Sequence, residues 1–325
     1  MTPIRPLPTD RPARIVVLDD YMGVAHRLAD WSVLEDRAEI TFLRHPIAPD
    51  QLTTALADYD AICLLRERTD FPAEVLQGLP NLKAIAATGR RTRTLDSEAA
   101  VRLGIPVMTT DGAGAGVYAT VELAWGLIIS LMRHIPAESA AMRDGSWQTR
   151  LGNALYGRTL GLVGLGKLGS RMALVAEAFG MNVIAWSPNL TPERAAEGGA
   201  VHVDKESLFR TADIVSLHLV LGATTTGIVG AEDLGRMKSD ALLINTSRGP
   251  LVDNVALIAA LSSGQIGGAG IDVYDIEPLA ADARLRTLPN AVLTPHLGYC
   301  VQETFESFYR QTVANLNGWL NGEER

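Results

Sequence analysis

Short runs of apolar and β-branched residues alternate with amphipathic stretches along almost the whole chain. Buried parallel strands give continuous apolar runs, and the stretches between them have the length and pattern of helices. The alternation therefore predicts an α/β fold in which helices cover both faces of parallel sheets. The predicted strands are RIVVL (14–18), EITFL (39–43), AICLL (61–65), LKAIAAT (82–88), IPVMTT (105–110), TLGLVGL (159–165), NVIAWS (182–187), ADIVSLHL (212–219), ALLINTS (241–247), GAGIDVY (268–274) and AVLTPH (291–296).

These strands form two series, one before and one after residue 110. A chain of 325 residues is long enough for two domains. The second series predicts a doubly wound Rossmann sheet of six or seven strands, and the first predicts a smaller flavodoxin-like domain. We expect the first segment of the smaller domain at 1–109, the larger domain at 110–297, and a C-terminal helix within 298–325 that returns to the smaller domain.

Composition and charge exclude several classes of function. A formal net charge of −8 argues against a nucleic-acid or anionic-membrane surface. The two cysteines have no paired spacing, and neither an H-E-x-x-H pattern nor a His/Cys cluster occurs, so we predict no catalytic metal. The longest apolar run, 121–132, is too short to span a bilayer, and the N-terminal stretch lacks a signal-peptide pattern. We therefore expect a cytoplasmic chain.

A glycine-rich turn follows the first strand of the second series. In GLVGLGKLG, Gly164, Gly166 and Gly169 have the G-x-G-x-x-G spacing, and a long helix is predicted directly after them, from Lys167 to Phe179. The first glycine allows the tight turn, the second lets the backbone approach a pyrophosphate, and the third allows close helix–strand packing. The pattern predicts a dinucleotide site at 164–169, with Leu165, Lys167 and Leu168 alongside the glycines.

Polar residues end three further strands of the second series. Arg248 follows one strand, Glu277 lies beyond the next, and His296 ends the last. Arg248 and Glu277 are 29 residues apart, and Glu277 and His296 are 19 apart, so each gap is about one βα unit. Because ligands of open α/β sheets bind at the carboxyl ends of the strands, these groups could converge on one site.

Four motifs occur in the order GLVGLGKLG, NTSRG, DVYDIEP and TPHLG. In order and spacing they resemble the motifs of the D-isomer-specific 2-hydroxyacid dehydrogenases, in particular short bacterial members of the glyoxylate/hydroxypyruvate reductase or 3-phosphoglycerate dehydrogenase-like type. The resemblance covers nearly the whole chain. It implies a Rossmann cofactor domain, a smaller substrate domain, a cleft between them, and a homodimer formed through the cofactor domain.

The chemistry that the resemblance implies suits these residue types. Reduction of a 2-keto acid adds a hydride to C2 and a proton to the carbonyl oxygen. His296 would exchange the proton, since imidazole titrates near neutral pH. Glu277 would bind the other ring nitrogen, fixing the tautomer and favouring imidazolium, while Arg248 would hold the substrate carboxylate in a fork and polarise the carbonyl.

The resemblance also implies further contacts with a nicotinamide cofactor. Asp272 would contact the nicotinamide carboxamide, and Thr120 would face the nicotinamide or the pyrophosphate. His218 would line the wall of the cofactor site, beside the adenine or at the strand ends. The remaining residues predicted to bind the cofactor are Ser187, Thr246, Ser247 and Gly298.

Ser187 stands where an acid would bind the adenine ribose and favour NAD. Its presence removes the repulsion of a 2′-phosphate, yet no Lys or Arg occurs at 188–190, and Arg194 lies seven residues further on. The stretch permits NAD or NADP and slightly favours NAD.

The substrate is expected to be a small anionic 2-keto or 2-hydroxy acid. In the resembled family, backbone amides of the loop after the fourth strand hold the carboxylate, often in a G-x-G turn. Here Gly89 remains, but Arg91 stands where a second glycine is common. Arg66, Gly89, Arg90 and Arg91 are the predicted substrate-binding residues of this half, and the excess of arginine suggests a second carboxylate or a phosphate on the substrate.

Two other functions share these motifs. One is a dinucleotide-sensing corepressor, which would bind a partner and turn over little substrate. The other is a formate- or phosphite-type dehydrogenase on the same fold. The apolar stretch 117–132, with Trp125, fits either a homodimer interface or ordinary core.

Overall fold

The computed structural model describes residues 5–8, 10–90, 92–111 and 116–323, without the side chain of Val117. Contacts between Cα atoms divide the chain into two compact units. The first unit comprises Met1–Gly116 and Val301–Arg325, and the second comprises Val117–Cys300. Each unit contains one parallel β-sheet with helices, which confirms the predicted α/β fold class.

The first unit holds a five-stranded parallel sheet in the order β2-β1-β3-β4-β5, the flavodoxin-like order. Its strands are β1 (Ala13–Val17), β2 (Ala38–Phe42), β3 (Ala61–Leu64), β4 (Ala84–Ala87) and β5 (Val107–Thr109). Its helices are α1 (Leu52–Leu56), α2 (Ala73–Gln77), α3 (Ser97–Arg102) and the C-terminal α11 (Gln302–Leu320).

Helix α11 packs on the first unit's own sheet, against β4 and β5. Its buried side chains include Phe305, Tyr309 and Leu316, so one face of the helix is apolar. The Asn315 amide donates to the Thr109 carbonyl oxygen at 3.0 Å, where β5 ends. The helix therefore completes the core of this unit although some 200 residues separate it from the strands.

The second unit holds a seven-stranded parallel sheet in the order β12-β11-β10-β9-β6-β7-β8. This is the Rossmann order 3-2-1-4-5-6 extended by one strand. The strands are β6 (Thr159–Val163), β7 (Asn182–Trp186), β8 (Val201–His202), β9 (Ile214–Leu217), β10 (Leu242–Asn245), β11 (Gly268–Ile271) and β12 (Ala291–Leu293). The helices are α4 (Gly116–Met132), α5 (Ile135–Arg143), α6 (Lys167–Ala178), α7 (Pro192–Glu197), α8 (Lys205–Thr211), α9 (Ala231–Arg236) and α10 (Asn254–Ser263).

Two apolar clusters flank this sheet. One contains residues of α8, α9 and α10, and the other contains residues of α4 and α6. The sheet is thus buried on both faces, which explains why its strands are continuous apolar runs in the sequence.

Several strands end earlier in the structure than the sequence predicts. The runs 159–165, 241–247, 268–274 and 291–296 leave the sheet after Val163, Asn245, Ile271 and Leu293. The apolar pattern continues beyond these points because residues such as Leu165 and Val273 are buried in turns rather than in strands. The two-residue strand β8 was not predicted, since it is too short to give a pattern.

An aspartate with similar partners occurs at the amino-terminal edge of each sheet; Asp60 is buried and Asp213 is partly buried. Asp60, before β3, accepts hydrogen bonds from the Arg14 amide at 2.8 Å and from Lys83 at 2.6 Å. Asp213, before β9, accepts equivalent bonds from the Thr159 amide and Lys238, both at 2.7 Å. Each aspartate therefore ties the start of one strand to the start of its neighbour.

Asp60 is expected to stabilise the first unit in a pH-dependent way. Burial alone raises the pKa of Asp60, but bonds from Arg11, the Arg14 amide and Lys83 outweigh it and leave the pKa below its ordinary value. A carboxyl with a lowered pKa stabilises the fold above its unfolded pKa, and this contribution is lost as pH falls through the folded pKa. Asp60→Asn should reduce the free energy of unfolding by about 3 kcal/mol at pH 7 and by less in acid.

Denaturant unfolding at pH 7 and near pH 3 measures this effect. Asp58→Asn is the matched control, because Asp58 is exposed and lies 3.8 Å from Arg14. It should cost less than about 0.5 kcal/mol. Equal losses from both variants, or a loss from Asp60→Asn that does not change with pH, would contradict the assignment.

Candidate active site

The glycine turn joins β6 to α6 at the carboxyl edge of the second sheet. Gly164 has a φ of +102°, and a Cβ at this position would lie 2.7 Å from the His218 carbonyl oxygen. A Cβ on Gly169 would overlap the Gly164 carbonyl oxygen. Both glycines are therefore required by the protein's own packing, at the tight turn and at the contact of the helix with the strand.

Gly166 is different, because the protein does not need it to be glycine. A Cβ on Gly166 would have no heavy atom of the described chain within 4 Å, apart from its own chain neighbours. Its φ of −87° is accessible to any residue. The open space beside it, at the N-terminus of the 12-residue helix α6, fits a pyrophosphate that the backbone must approach closely.

The neighbouring residues offer backbone rather than side-chain contacts. Leu165 is buried and Leu168 packs against the same apolar cluster, so their side chains belong to the core. Lys167 is exposed at the first position of α6. The amides at the start of a helix have no partners within the helix, so those at the start of α6 are free to bind an anion.

Thr246, just after β10, provides a second observation that favours a ligand at this edge of the sheet. Its side chain is 6% exposed, and its hydroxyl has no hydrogen-bond partner in the described part of the chain. A buried polar atom without a partner calls for a ligand or water. The open space at Gly166 and the Thr246 hydroxyl both fit a dinucleotide at this edge.

A chain of contacts connects the strand-end turns of the second sheet. The turn after β6 meets that after β9 where Gly164 packs on the His218 carbonyl, and the Ser247 hydroxyl donates to the Leu219 carbonyl at 2.6 Å. A Cβ on Gly249, after β10, would overlap the Tyr274 backbone after β11. These contacts join the glycine turn to the turns that carry Arg248 and Glu277.

Tyr274 connects these turns to the end of β12, the last strand of the sheet. The Tyr274 hydroxyl lies 3.1 Å from the Ile271 carbonyl oxygen and 2.9 Å from the Thr294 carbonyl oxygen, and its amide donates to Glu277 Oε1 at 2.9 Å. Tyr274 thus ties the end of β11 to the end of β12 and fixes one oxygen of Glu277.

His296 and Glu277 form the closest pair of predicted catalytic residues. His296 Nδ1 lies 2.5 Å from Glu277 Oε2. The pairing occupies Nδ1 and leaves Nε2 as the ring nitrogen able to exchange a proton with a substrate. His296 has a φ of +54°, a conformation that costs energy in a non-glycine residue and recurs at functional sites.

Asp272 holds the turn that carries His296. Its carboxylate is fully buried and accepts bonds from the Thr294 hydroxyl at 2.6 Å, the Leu297 amide at 2.7 Å and the Gly298 amide at 2.9 Å. Burial raises the pKa of this carboxyl, although these donors act in the opposite direction. Thr120 completes the network by donating to the Gly298 carbonyl at 2.8 Å. Contact of Asp272 or Thr120 with a nicotinamide stays a prediction.

The Arg248 turn is braced by Asn245, the buried last residue of β10. The Asn245 side chain donates to the Arg248 carbonyl at 2.9 Å and accepts from the Ser247 amide at 3.1 Å. The Arg248 guanidinium, which is partly exposed, donates to the Ser247 carbonyl at 2.7 Å. The backbone that presents Arg248 is therefore fixed by the fold.

Ser187 and His218 also lie at the carboxyl edge, after β7 and β9. Ser187 is partly buried, and its carbonyl accepts from the Leu190 amide at 3.1 Å. Burial lowers the pKa of His218 to about 4, and its Nε2 lies 2.9 Å from the Ser216 hydroxyl. The His218 imidazole is therefore neutral at pH 7, which fits a residue that lines the cofactor site better than one that donates a proton in the reaction.

In the first unit, residues of the predicted substrate loop already make contacts within the protein. The Gly89 amide already donates to the Thr110 hydroxyl at 2.9 Å, and a Cβ on Gly89 would overlap the Arg66 guanidinium. Arg90 is exposed and forms an ion pair with Asp111 at 2.6 Å. Arg91 lies outside the described residues. Arg66, with a φ of +56° after β3, is the arginine that the fold holds against this loop.

Four residues that support the site were not singled out from the sequence. Asn245 and Tyr274 brace the turns, Thr294 donates to Asp272, and the Tyr299 ring lies edge-on to the His296 ring at 5.4 Å. Their signal was their place within or beside the recognised motifs, because each is a polar or aromatic residue close to a strand end.

Across residues 5–8, 10–90, 92–111 and 116–323, no three His, Cys, Asp or Glu side chains group closely enough to hold a metal ion. Over the same ranges, no helix combines the length and apolar character needed to cross a membrane.

The chain is similar over most of its length to proteins of one family. The profile of the family described as "D-isomer specific 2-hydroxyacid dehydrogenase, NAD binding domain" matches residues 125–298. The chain is 37% identical over 303 residues to glyoxylate reductase of Thermococcus litoralis, covering 90% of each chain. It is 35% identical over 295 residues to D-3-phosphoglycerate dehydrogenase of Synechocystis, covering 90% of this chain but only 51% of that relative.

Solved structures give the same picture. The phosphoglycerate oxidoreductase of Vibrio cholerae superposes with a TM-score of 0.88 at 35% identity, covering 95% of this chain and 99% of that one. The chain spans about half the length of the phosphoglycerate dehydrogenase of Synechocystis and nearly the full length of the glyoxylate reductase. The motifs, both sheet topologies and these matches together establish that the chain belongs to the D-isomer-specific 2-hydroxyacid dehydrogenase family.

Proposed function

We propose that the chain transfers a hydride between a nicotinamide cofactor and C2 of a small D-2-hydroxy acid or 2-keto acid. The observation that carries this proposal is the His296–Glu277 pair at 2.5 Å, at the same sheet edge as the glycine turn. The contacts from Gly164 through Ser247 and Tyr274 join the two parts of this edge.

The proposed roles follow from the residue types at this sheet edge and from the geometry of the His296–Glu277 pair. A bound nicotinamide supplies or accepts the hydride. In the reducing direction, His296 Nε2 gives its proton to the carbonyl oxygen of the substrate, and Glu277 holds the imidazole through Nδ1. Arg248 binds the substrate carboxylate and polarises the carbonyl. In the oxidising direction, His296 accepts the proton from the hydroxyl group.

Arg248 provides a direct test of substrate binding. Arg248→Ala should lower kcat/KM for the preferred keto acid by about 10³-fold, because two charge-assisted hydrogen bonds are lost. Arg248→Lys is the matched control: it keeps the charge but loses the fork, so its loss should be intermediate. Steady-state kinetics together with the cofactor Kd measure both effects. A normal kcat/KM in Arg248→Ala would rule out the carboxylate role.

A substrate panel separates this activity from the alternatives. Oxidation of NADH and NADPH should be followed with glyoxylate, hydroxypyruvate, oxaloacetate, phenylpyruvate and 2-ketoglutarate, and reduction of NAD and NADP with formate and phosphite. Turnover of a keto acid supports the proposal. Turnover only of formate or phosphite favours a dehydrogenase of that type, and no turnover with intact dinucleotide binding favours a corepressor-like binding protein.

The first unit supports an anionic substrate. Arg66 is held beside Gly89, and two relatives are named for a carboxylate substrate, glyoxylate, and for one that also carries a phosphate, phosphoglycerate. We propose Arg66 as the principal anion-binding side chain of this unit. Arg90, which is exposed and paired with Asp111, and Gly89, whose amide donates to Thr110, stay secondary predictions.

A homodimer through the cofactor domain is also proposed, with a different surface from the one that the sequence suggested. Trp125 is buried and lies 5.0 Å from the Phe179 ring, which fits ordinary core. Large exposed side chains occur instead at Trp147, 74% exposed, Leu151, 94%, and Tyr156, 82%. Leu151→Lys should shift the chain from dimer to monomer in light scattering after size exclusion, whereas a dimer that survives would exclude this surface.

Two further proposals rest on the sequence. We propose a cytoplasmic location, because the two cysteines, Cys63 and Cys300, have no spacing typical of a disulfide framework. The residues after β7 slightly favour NAD over NADP on the sequence alone.

A further inference from the structure

The turn after β7 occupies the position that distinguishes NAD from NADP in a Rossmann sheet. A carboxylate at the end of the second strand binds the ribose 2′-hydroxyl, whereas a nearby arginine accommodates a 2′-phosphate. In this unit β6 is the first strand and β7 the second, and Ser187 stands directly after β7. The carboxylate that would repel a phosphate is therefore replaced by a hydroxyl.

Arg194 is distant from Ser187 in sequence but folds back onto this turn. Its guanidinium Nη1 donates to the Asn189 carbonyl oxygen at 3.2 Å. The Thr191 hydroxyl accepts a hydrogen bond from the Arg194 amide at 3.3 Å and so caps the N-terminus of helix α7. The Leu190 amide donates to the Ser187 carbonyl at 3.1 Å, so the turn is tight. The guanidinium thus contacts the backbone of the Ser187–Leu190 turn at Asn189.

The charge of Arg194 is not neutralised by the protein. Arg194 is exposed, and among the described residues no carboxylate lies within 4.0 Å of its guanidinium. The adjacent carboxylate, Glu193, is bound by its own backbone amide and by the Thr191 hydroxyl, which lower its pKa, and His202 lies nearby. An anion at this turn would therefore meet a cation that has no competing partner acid.

We propose that Arg194 binds the 2′-phosphate of NADP(H) at the Ser187–Leu190 turn and makes the chain an NADP-accepting enzyme. This inference rests on the proposed function, because it assumes a dinucleotide on the glycine turn. It replaces the slight preference for NAD that the sequence alone gave. The Ser187 hydroxyl is the second donor, and Arg194 still has donors beyond the Nη1 bond to Asn189, since guanidinium carries five N–H groups.

Two nucleotide fragments test the proposal without turnover. Titration calorimetry on the full chain compares adenosine 2′,5′-bisphosphate with 5′-AMP, which differ by the 2′-phosphate. The bisphosphate should bind more tightly. Arg194→Gln should weaken bisphosphate binding by about 10- to 100-fold and change 5′-AMP binding by less than about threefold. The advantage of the bisphosphate should also decrease at high salt.

Arg210→Gln is the matched control. Arg210 is an exposed arginine of α8 in the same unit, paired with Glu206, so its removal changes the net charge equally. It should leave the ratio of the two Kd values unchanged. Ser187→Asp is a second variant, which should remove the advantage of the bisphosphate through repulsion.

The outcomes separate the two levels of the proposal. Equal affinity of the wild-type chain for both fragments, or an equal loss in Arg194→Gln and Arg210→Gln, overturns the role of Arg194 while dinucleotide binding stands. If the chain binds neither fragment, nor NADH, nor NADPH, the dehydrogenase function fails with it. A bisphosphate advantage that only Arg194→Gln and Ser187→Asp remove supports the assignment.

Discussion

Replacement of His296 by alanine is expected to lower kcat by about 10²- to 10⁴-fold, the range typical of a lost general acid–base group. The cofactor Kd should change little, because the His296 side chain contacts Glu277 and Tyr299 rather than the glycine turn. Stopped-flow hydride transfer and fluorescence titration of the reduced cofactor measure the two quantities separately.

The control variants make this test specific. His45→Ala removes an exposed histidine of the first unit and should leave kcat unchanged. His296→Gln keeps an amide that can donate to Glu277 but cannot exchange a proton at neutral pH, so its kcat should be as low as that of His296→Ala. A His296→Gln variant with near-normal kcat would show that His296 serves only to position other groups.

The second large effect is expected at Gly166, where substitution should weaken nucleotide binding without weakening the fold. In Gly166→Val the side chain would occupy the open space beside the start of α6, which the pyrophosphate requires. Binding of NADH and NADPH should weaken by on the order of 100-fold, or about 2.7 kcal/mol. The free energy of unfolding should change by less than about 1 kcal/mol, because φ at this position suits any residue.

Gly169→Ala is the matched comparison within the same turn. A Cβ there would overlap the Gly164 carbonyl oxygen, so this variant should lose stability as well as nucleotide binding. Denaturant unfolding and calorimetry on both variants separate the two roles. Equal destabilisation by Gly166→Val and Gly169→Ala would mean that Gly166 is a structural glycine and would remove one of the two observations that favour a dinucleotide here.

The strand alternation and the motif order were sufficient to predict both parallel sheets. Arg248, Asp272 and His296 follow β10, β11 and β12 as expected, because parallel strands place their carboxyl ends at one edge. The pairing of Glu277 with His296 was expected from the same motifs and is present. Strand ends were less predictable, since buried turn residues continue the apolar pattern of the strands.

Partners that come from distant segments were not predictable. The sequence does not indicate that the Gly89 amide already donates a hydrogen bond to Thr110. Nor does it indicate that the Asp272 carboxylate already accepts three hydrogen bonds from the 294–298 turn. Both residues looked available to a ligand when considered singly. Whether a polar group is free depends on the other segments that the fold brings against it.

The sequence by itself determined the fold class, the family and the glycine turn, because strand and helix patterns and motif spacing are local properties of the chain. Only the tertiary structure decided which glycine of the turn is free of protein contacts and where the Arg194 guanidinium lies. Seven residues separate Arg194 from Ser187 along the chain, but a tight turn and a capped helix bring its charge back to that turn. Side-chain contacts through space, rather than distance along the sequence, therefore determine the charge at the proposed ribose site.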